Sequence, residues 1–283
     1  MRIGYSTWGM REVPIEEALP AISRIGYHGV ELSVAPGWIT ELYTLDAAKR
    51  ERIRELLAEH NLVLAGVIRN VSMVEEDPDR NAANMQSLRD AIDLAAELTQ
   101  AGEVSVMTSH LGGRSGDWET KRDIAVERLL RLADYAAERG VVIAVEIHCG
   151  SMLDSPERVH WLFERVDHPS VRLNFDISHM EVVGIGIDES VPQLAPYSVH
   201  THVKDQRGLY PDFEFLTPGE GPFDFVRYLK AMQAAGYDGF ITAEVSVHVQ
   251  RRADYDPFFH AQLAYWTLYK AFQVAGIEPG KPS

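Results

Sequence analysis

The run Val141-Val142-Ile143-Ala144-Val145-Glu146-Ile147-His148 is apolar and β-branched until it delivers a carboxylate and, two residues later, an imidazole. The period-two alternation of a strand sends both side chains to one face. Three later runs finish in the same way. Val171-Arg-Leu-Asn-Phe-Asp176 is followed by Ile-Ser-His179, Val199-His-Thr-His202 by Val-Lys204-Asp205, and Phe240-Ile-Thr-Ala-Glu244 by Val-Ser246. Hydrophobic strands that repeatedly end in an acid or a histidine point to a parallel β/α architecture whose strand tips share one mouth.

Working outward, strand-like runs occupy 3–8, 29–33, 63–68, 104–110, 142–148, 171–176, 199–204 and 240–246. Between them, apolar residues recur at three- and four-residue intervals over 45–60, 82–98 and 123–139, more weakly over 189–194, and again over 223–235 and 257–275, which predicts helices. Gly221-Pro222 is placed to open the helix over 223–235. Eight strands alternating with helices predict a (β/α)8 TIM barrel, a single domain over 1–283. The alternative is an open doubly wound sheet, but no Gly-x-Gly-x-x-Gly follows the first strand.

Strand parity supports a shared site. Ala144, Glu146 and His148 fall on one face, as do Arg172, Asn174 and Asp176, then His200, His202 and Lys204, then Thr242, Glu244 and Ser246. The opposite parity is almost wholly apolar and suits the helix layer.

The net charge is −15, with no basic cluster to offset it, so nucleic acid is not an expected partner. No apolar run approaches the ~20 residues that span a bilayer, and the first residues lack the pattern of a secretory signal. The single cysteine, Cys149, suits a reducing compartment. The expectation is a cytoplasmic protein without membrane partners; homo-oligomerisation is left open.

Glu146, Asp176, His202 and Glu244 converging in a desolvated mouth would repel one another, and a divalent cation removes the conflict. Three carboxylates and an imidazole suit Mn²⁺, Co²⁺ or Mg²⁺, with Zn²⁺ less favoured because no thiolate takes part. The plainer alternative pairs the carboxylates internally with Arg172 or Lys204.

These motifs in this order resemble the sugar phosphate isomerase/epimerase family, the xylose isomerase-like TIM barrels. The matching residues are Glu146, Asp176-Ile-Ser-His179, His200-Thr-His202-Val-Lys204-Asp205, Gly219-Glu220-Gly221 and Glu244, with Gly26-Tyr-His-Gly29-Val-Glu31-Leu similar to the family's second strand. The resemblance implies that Glu146, Asp176, His202 and Glu244 hold the metal, as in ketose 3-epimerases, and that the two glutamates are also the proton-transfer pair. It implies a substrate contact for His179 and, at an altered spacing, for Arg207.

The chemistry follows independently of the name. A divalent ion near a carbonyl oxygen and the adjacent hydroxyl stabilises the enediolate left when the intervening carbon loses a proton to Glu146 or Glu244. Return of that proton gives epimerisation or aldose–ketose isomerisation of a small sugar; loss of a β-substituent gives a lyase or dehydratase acting on a keto-inositol or 3-keto-glycoside. His148, His110, Lys204 and Trp8 are further candidates for substrate contact, each with a structural alternative: a hydrogen bond that orients a ligand residue from behind, packing, or ion pairing. Glu31 suits a structural partner of a basic group, and His200 the orientation of His202 from below. Loop 111–118, glycine-rich with Arg114, suits a lid, a phosphate site or a merely mobile segment. Three competing functions remain: a Schiff-base enzyme using Lys204, an endonuclease-like phosphodiesterase, and a non-catalytic sugar-binding protein.

Overall fold

The computed structural model describes residues 1–280, so positions 281–283 of the expected single domain lie outside the described residues. Among the described residues there are ten strands: β1 (Arg2–Ser6), β2 (Gly29–Ser33), β3 (Val63–Ile68), β4 (Ser105–Ser109), β5 (Val141–Glu146), β6 (Val171–Asp176), β7 (Ser198–Val203), β8 (Asp205–Leu209), β9 (Asp212–Leu216) and β10 (Phe240–Ala243). Eight of them close into a parallel barrel in the order β1-β2-β3-β4-β5-β6-β7-β10. β8 and β9 instead form an antiparallel hairpin, which the sequence reading did not anticipate.

Helices over Ala47–Glu59, Pro78–Leu98, Trp118–Ala137, Ile187–Leu194, Phe225–Ala234 and Pro257–Ala275 agree with the expected periodic segments. Four more, Ile15–Ile25, Pro156–Val166, Ile177–Val182 and the short Val247–Gln250, were not anticipated. The helix over Pro156–Val166 carries an ordinary start signal, Ser155 capping the Arg158 N–H with Pro156 in the first turn. Gly221-Pro222 does not open its helix: the cap is Asp224, whose side chain accepts from Arg227 N at 2.9 Å.

Parity is borne out where it positions the site. Leu173 and Phe175 are fully buried on the outward face of β6, where the Phe175 ring lies 6.5 Å from that of Tyr228 on the helix over Phe225–Ala234. Asn174, Asp176, His200, His202 and Thr242 are at most 1% exposed. Register aligns them, with Asp176 opposite His202 and His202 opposite Thr242, so Glu244 lies one inward position further up. Arg172 is the exception. It sits at the start of β6, is exposed, and donates to its own neighbours' carbonyls, His168 O and Val171 O, so it neutralises no carboxylate in the mouth.

Asp205, directly after the His-x-Lys segment, explains the Gly219-Glu220-Gly221 motif. Its carboxylate accepts from the backbone N–H groups of Gly219 (3.0 Å), Gly221 (2.9 Å) and Phe223 (3.0 Å), tying the loop between β9 and the next helix to the barrel rim. A Cβ at Gly221 would run into that carboxylate. Replacing Asp205 with Ala leaves these three N–H groups, and that of Gln206 at 3.2 Å, without their charged acceptor. Asp205→Ala is therefore expected to lower the unfolding free energy by about 3 kcal/mol in chemical denaturation; a loss below about 1 kcal/mol would show that this tie does not stabilise the fold.

Candidate active site

Each member of the cluster is placed by the end of a different strand. β5 delivers Glu146, β6 Asp176 and β7 His202, while Glu244 directly follows β10. Asp176 also caps the helix over Ile177–Val182, its Oδ1 accepting from Ser178 N at 2.9 Å. That cap turns the chain so that His179, one helical turn on, brings Nε2 to 3.5 Å from Asp176 Oδ2. One ligand atom from each of Glu146, Asp176, His202 and Glu244 lies within 4.8 Å of all the others, and all four residues are buried.

His202 is the hub. Its Nδ1 lies 2.8 Å from Glu146 Oε1 and 3.9 Å from Glu244 Oε1, and Asn174 Nδ2 approaches the same nitrogen at 3.2 Å. On the other side, Nε2 faces the Glu31 carboxylate. The Lys204 ammonium pairs with both Asp176 and Glu244. For those two acids the internal ion pair expected as an alternative is therefore present; Glu146 is instead hydrogen-bonded to His202.

These contacts pull the two glutamates in opposite directions. Burial raises the pKa of each, but the His202 hydrogen bond and the charges of His202 and Lys204 outweigh it at Glu146 and hold that carboxyl at about 2. At Glu244 burial wins over Lys204 and His202, and the pKa is raised. Burial also works against charge on Lys204, yet Asp176 and Glu244 outweigh it and raise that ammonium above the ordinary lysine range. A Schiff-base lysine needs the opposite perturbation. Burial, with the charges of His148 and Lys204, lowers His179 well below its ordinary value, so its imidazole is neutral.

The donor set fits a divalent cation. Four buried carboxylates, Glu31 included, face one ammonium, which leaves a deficit of three positive charges, or two if His202 is an imidazolium. Oxygen-rich donors with one imidazole suit a hard or borderline dication.

The remaining candidates divide. His148 lies just beyond β5, where its ring centre is 3.8 Å from that of His179, the planes tilted by 35°, and its Nδ1 lies 2.9 Å from Cys149 O. Together with His110, Ser151 and Tyr210 it lines a cavity of about 340 Å³ beside the cluster. His110 Nδ1 is buried there without a hydrogen-bond partner. Arg207 does not reach the site. It is exposed on β8, its Nε 3.0 Å from Glu214 Oε2 across the hairpin, because the antiparallel ladder turns it outward. Trp8 stacks on Trp38 at 4.2 Å, as its packing alternative expects, and does not line the 340 Å³ cavity. Loop 111–118 is buried at its ends, Leu111 with Gly112 and Trp118, and exposed at Gly113, Arg114 and Gly116; a Cβ at Gly113 would come within 2.6 Å of Met152 Sδ in the loop after β5.

Tyr210, Asn174 and Cys149 are site neighbours that sequence reasoning did not single out for function. Only Asn174 carried a signal, its inward parity. A larger cavity of about 600 Å³ lies at the opposite end of the barrel around Arg2, Glu103 and Phe240, away from all four clustered residues.

A family model of xylose isomerase-like TIM barrels matches residues 19–257. The chain belongs to that family. It is 28% identical over 158 residues to an inosose dehydratase of Geobacillus thermodenitrificans, a match spanning 50% of this chain and 52% of the dehydratase. It is 27% identical over 236 residues to an L-ribulose 3-epimerase of Methylomonas sp., covering 81% of this chain and 77% of the epimerase. A solved D-psicose 3-epimerase, studied in the presence of D-fructose, superposes with a TM-score of 0.80 over 98% of this chain and 100% of that one, at 16% identity. These likenesses support a sugar-modifying TIM-barrel enzyme. Among the described residues, no helix is long and apolar enough to cross a membrane.

Burial, reinforced by the charge of Asp176, pushes the Cys149 thiol up to about 12. At pH 8 its reaction with a disulfide reagent is expected to be at least about a hundredfold slower than that of free cysteine. Labelling at the free-thiol rate would show that the thiol is neither shielded nor perturbed in solution.

Proposed function

We propose that this protein is a metal-dependent isomerase or epimerase that removes a proton next to the carbonyl of a ketose or related keto-sugar. The observation that carries it is the convergence of Glu146 and Glu244 on His202 and Asp176 from strands three steps apart around the barrel. Two carboxylates approaching one small space from different sides can take a proton from one face of a carbon and return it to the other.

Glu146, Asp176, His202 and Glu244 would hold the ion. When bound, the ion supplies a Lewis acid for a carbonyl oxygen and its neighbouring hydroxyl. The chain's own groups do the rest. Glu146 or Glu244 accepts the proton, a role worth roughly 10²–10⁴-fold, and the other glutamate delivers one. His179, neutral and held by Asp176 and Cys149, is suited to hydrogen-bond a substrate hydroxyl without adding charge. His148 and His110, which line the adjoining cavity, would position the remainder of the sugar. Burial of the cluster keeps water from the carbanionic species.

A second outcome of the same proton removal, β-elimination of water, is favoured by one feature. The Lys204 ammonium sits between Asp176 and Glu244, where it can donate a hydrogen bond to a departing hydroxyl and stabilise the charge that develops on it. The similarity to an inosose dehydratase points the same way.

Incubation with a panel of ketoses and keto-inositols in D₂O with Mn²⁺ separates the outcomes. Epimerisation or isomerisation is expected to leave deuterium at one carbon of a product of unchanged formula, whereas elimination gives an unsaturated or deoxy-keto product. Exchange into none of the panel would count against proton abstraction. EDTA is expected to abolish turnover and Mn²⁺ to restore it; full activity in EDTA would refute the metal requirement. Glu244→Gln should fold normally and lose at least about a hundredfold in kcat, and ordinary activity in that variant would remove Glu244 from the mechanism.

A further inference from the structure

Below the four-residue cluster lies a set of polar side chains to which the proposed reaction gives no part. Glu31, 0% exposed at the middle of β2, accepts from Ser6 Oγ of β1 at 2.6 Å and from Thr108 Oγ1 of β4 at 2.9 Å. His202 Nε2 approaches its two oxygens at 2.9 and 3.1 Å. His200 Nε2 lies 3.2 Å from Oε1 but too obliquely for a hydrogen bond. Glu31 therefore reaches across the barrel interior, since β2 and β7 are separated by β1 and β10.

A carboxylate has no proton to offer, so the contact with His202 requires the proton on Nε2. Nδ1 meets a carboxylate as well, Glu146 Oε1 at 2.8 Å, so both ring nitrogens carry a proton until a cation takes Nδ1; the proton the ring then keeps is the one on Nε2, held by Glu31. Ser6 and Thr108 each hold one Glu31 oxygen, so the carboxylate cannot swing away.

We propose that Glu31 is a positioning residue for His202, fixing both its tautomer and its ring plane so that Nδ1 is presented to a cation held by Glu146, Asp176 and Glu244. Carboxylates that orient a ligand histidine typically change metal affinity ten- to a hundredfold when removed. The inference rests on the metal-site assignment, but the position of the His202 proton is measurable without any metal, so the two fail separately.

The test combines Mn²⁺ titration, read by the EPR signal of free ion, with ¹⁵N NMR of the histidine rings in metal-free and Mg²⁺-loaded protein. Glu31→Gln is expected to raise the Mn²⁺ Kd about tenfold or more and to shift or broaden the His202 Nε2–H resonance. Ser6→Ala and Thr108→Val, which keep Glu31 but free one of its oxygens, should each give a smaller change in the same direction. They stand in if Glu31→Gln fails to fold. A His202 ring protonated only on Nδ1 would overturn the proposal, as would unchanged Mn²⁺ affinity in a folded Glu31→Gln, or in both smaller variants where Glu31→Gln does not fold. If the wild type binds no Mn²⁺, the metal-site assignment fails, and the metal-free spectrum still decides whether Glu31 holds the Nε2 proton.

Discussion

The interior of this barrel is governed by an excess of buried negative charge. Glu31, Glu146, Asp176 and Glu244 are at most 7% exposed, and the cations that reach them are Lys204 and, when protonated, His202. Stripping water from a carboxylate costs several kcal/mol per ion even after relaxation. Such a cluster persists only where compensating contacts are dense or where a cation joins it. Both features recur in the local arrangement: Glu31 is enclosed by hydroxyls and imidazole, while Asp176 and Glu244 share a single ammonium and, with Glu146 and His202, bring oxygen and nitrogen donors to one small space.

The fold creates that concentration as a geometric consequence of closure. Parallel strands in a closed barrel send alternate side chains inward, and the strand ends bring residues 146, 176, 202 and 244 together although they are far apart along the chain. Local devices refine the placement. Asp176 doubles as a helix cap and so sets His179, while Asp205 ties down the loop after the β8–β9 hairpin by accepting from three backbone amides. The hairpin adds Tyr210 to the wall of the cavity beside His148. The polar upper layer and its cavity are thus held by the barrel, the capped helix and the tied loop together.

Much of this was legible in sequence because its signals are local. A β-branched run ending in an acid announces a strand, and its parity announces which side chains point inward, so the barrel and the convergence of Glu146, Asp176, His202 and Glu244 could be anticipated. What escaped depends on distance or on position along a strand. Arg172 has the inward parity of Asp176 but sits at the opposite end of β6, where it meets solvent. The resemblance implies a substrate contact for Arg207 at an altered spacing, but an antiparallel hairpin begins at Asp205 and redirects it to Glu214. Glu31 could be seen to lie on the second strand, but its partners come from β1, β4 and β7, and no short pattern records which strands face each other across a barrel. Lys204 was offered both as an ion-pair partner and as a nucleophile, and only its placement between two carboxylates decides between them.

The central claim, that the four strand tips surround one divalent cation, is tested most directly by anomalous diffraction from crystals grown with Mn²⁺. A single anomalous peak per chain, bonded to Glu146, Asp176, His202 and Glu244 with the Lys204 ammonium displaced from it, is the expected result. A map without a peak among those residues, in which Lys204 still bridges Asp176 and Glu244, would contradict the claim.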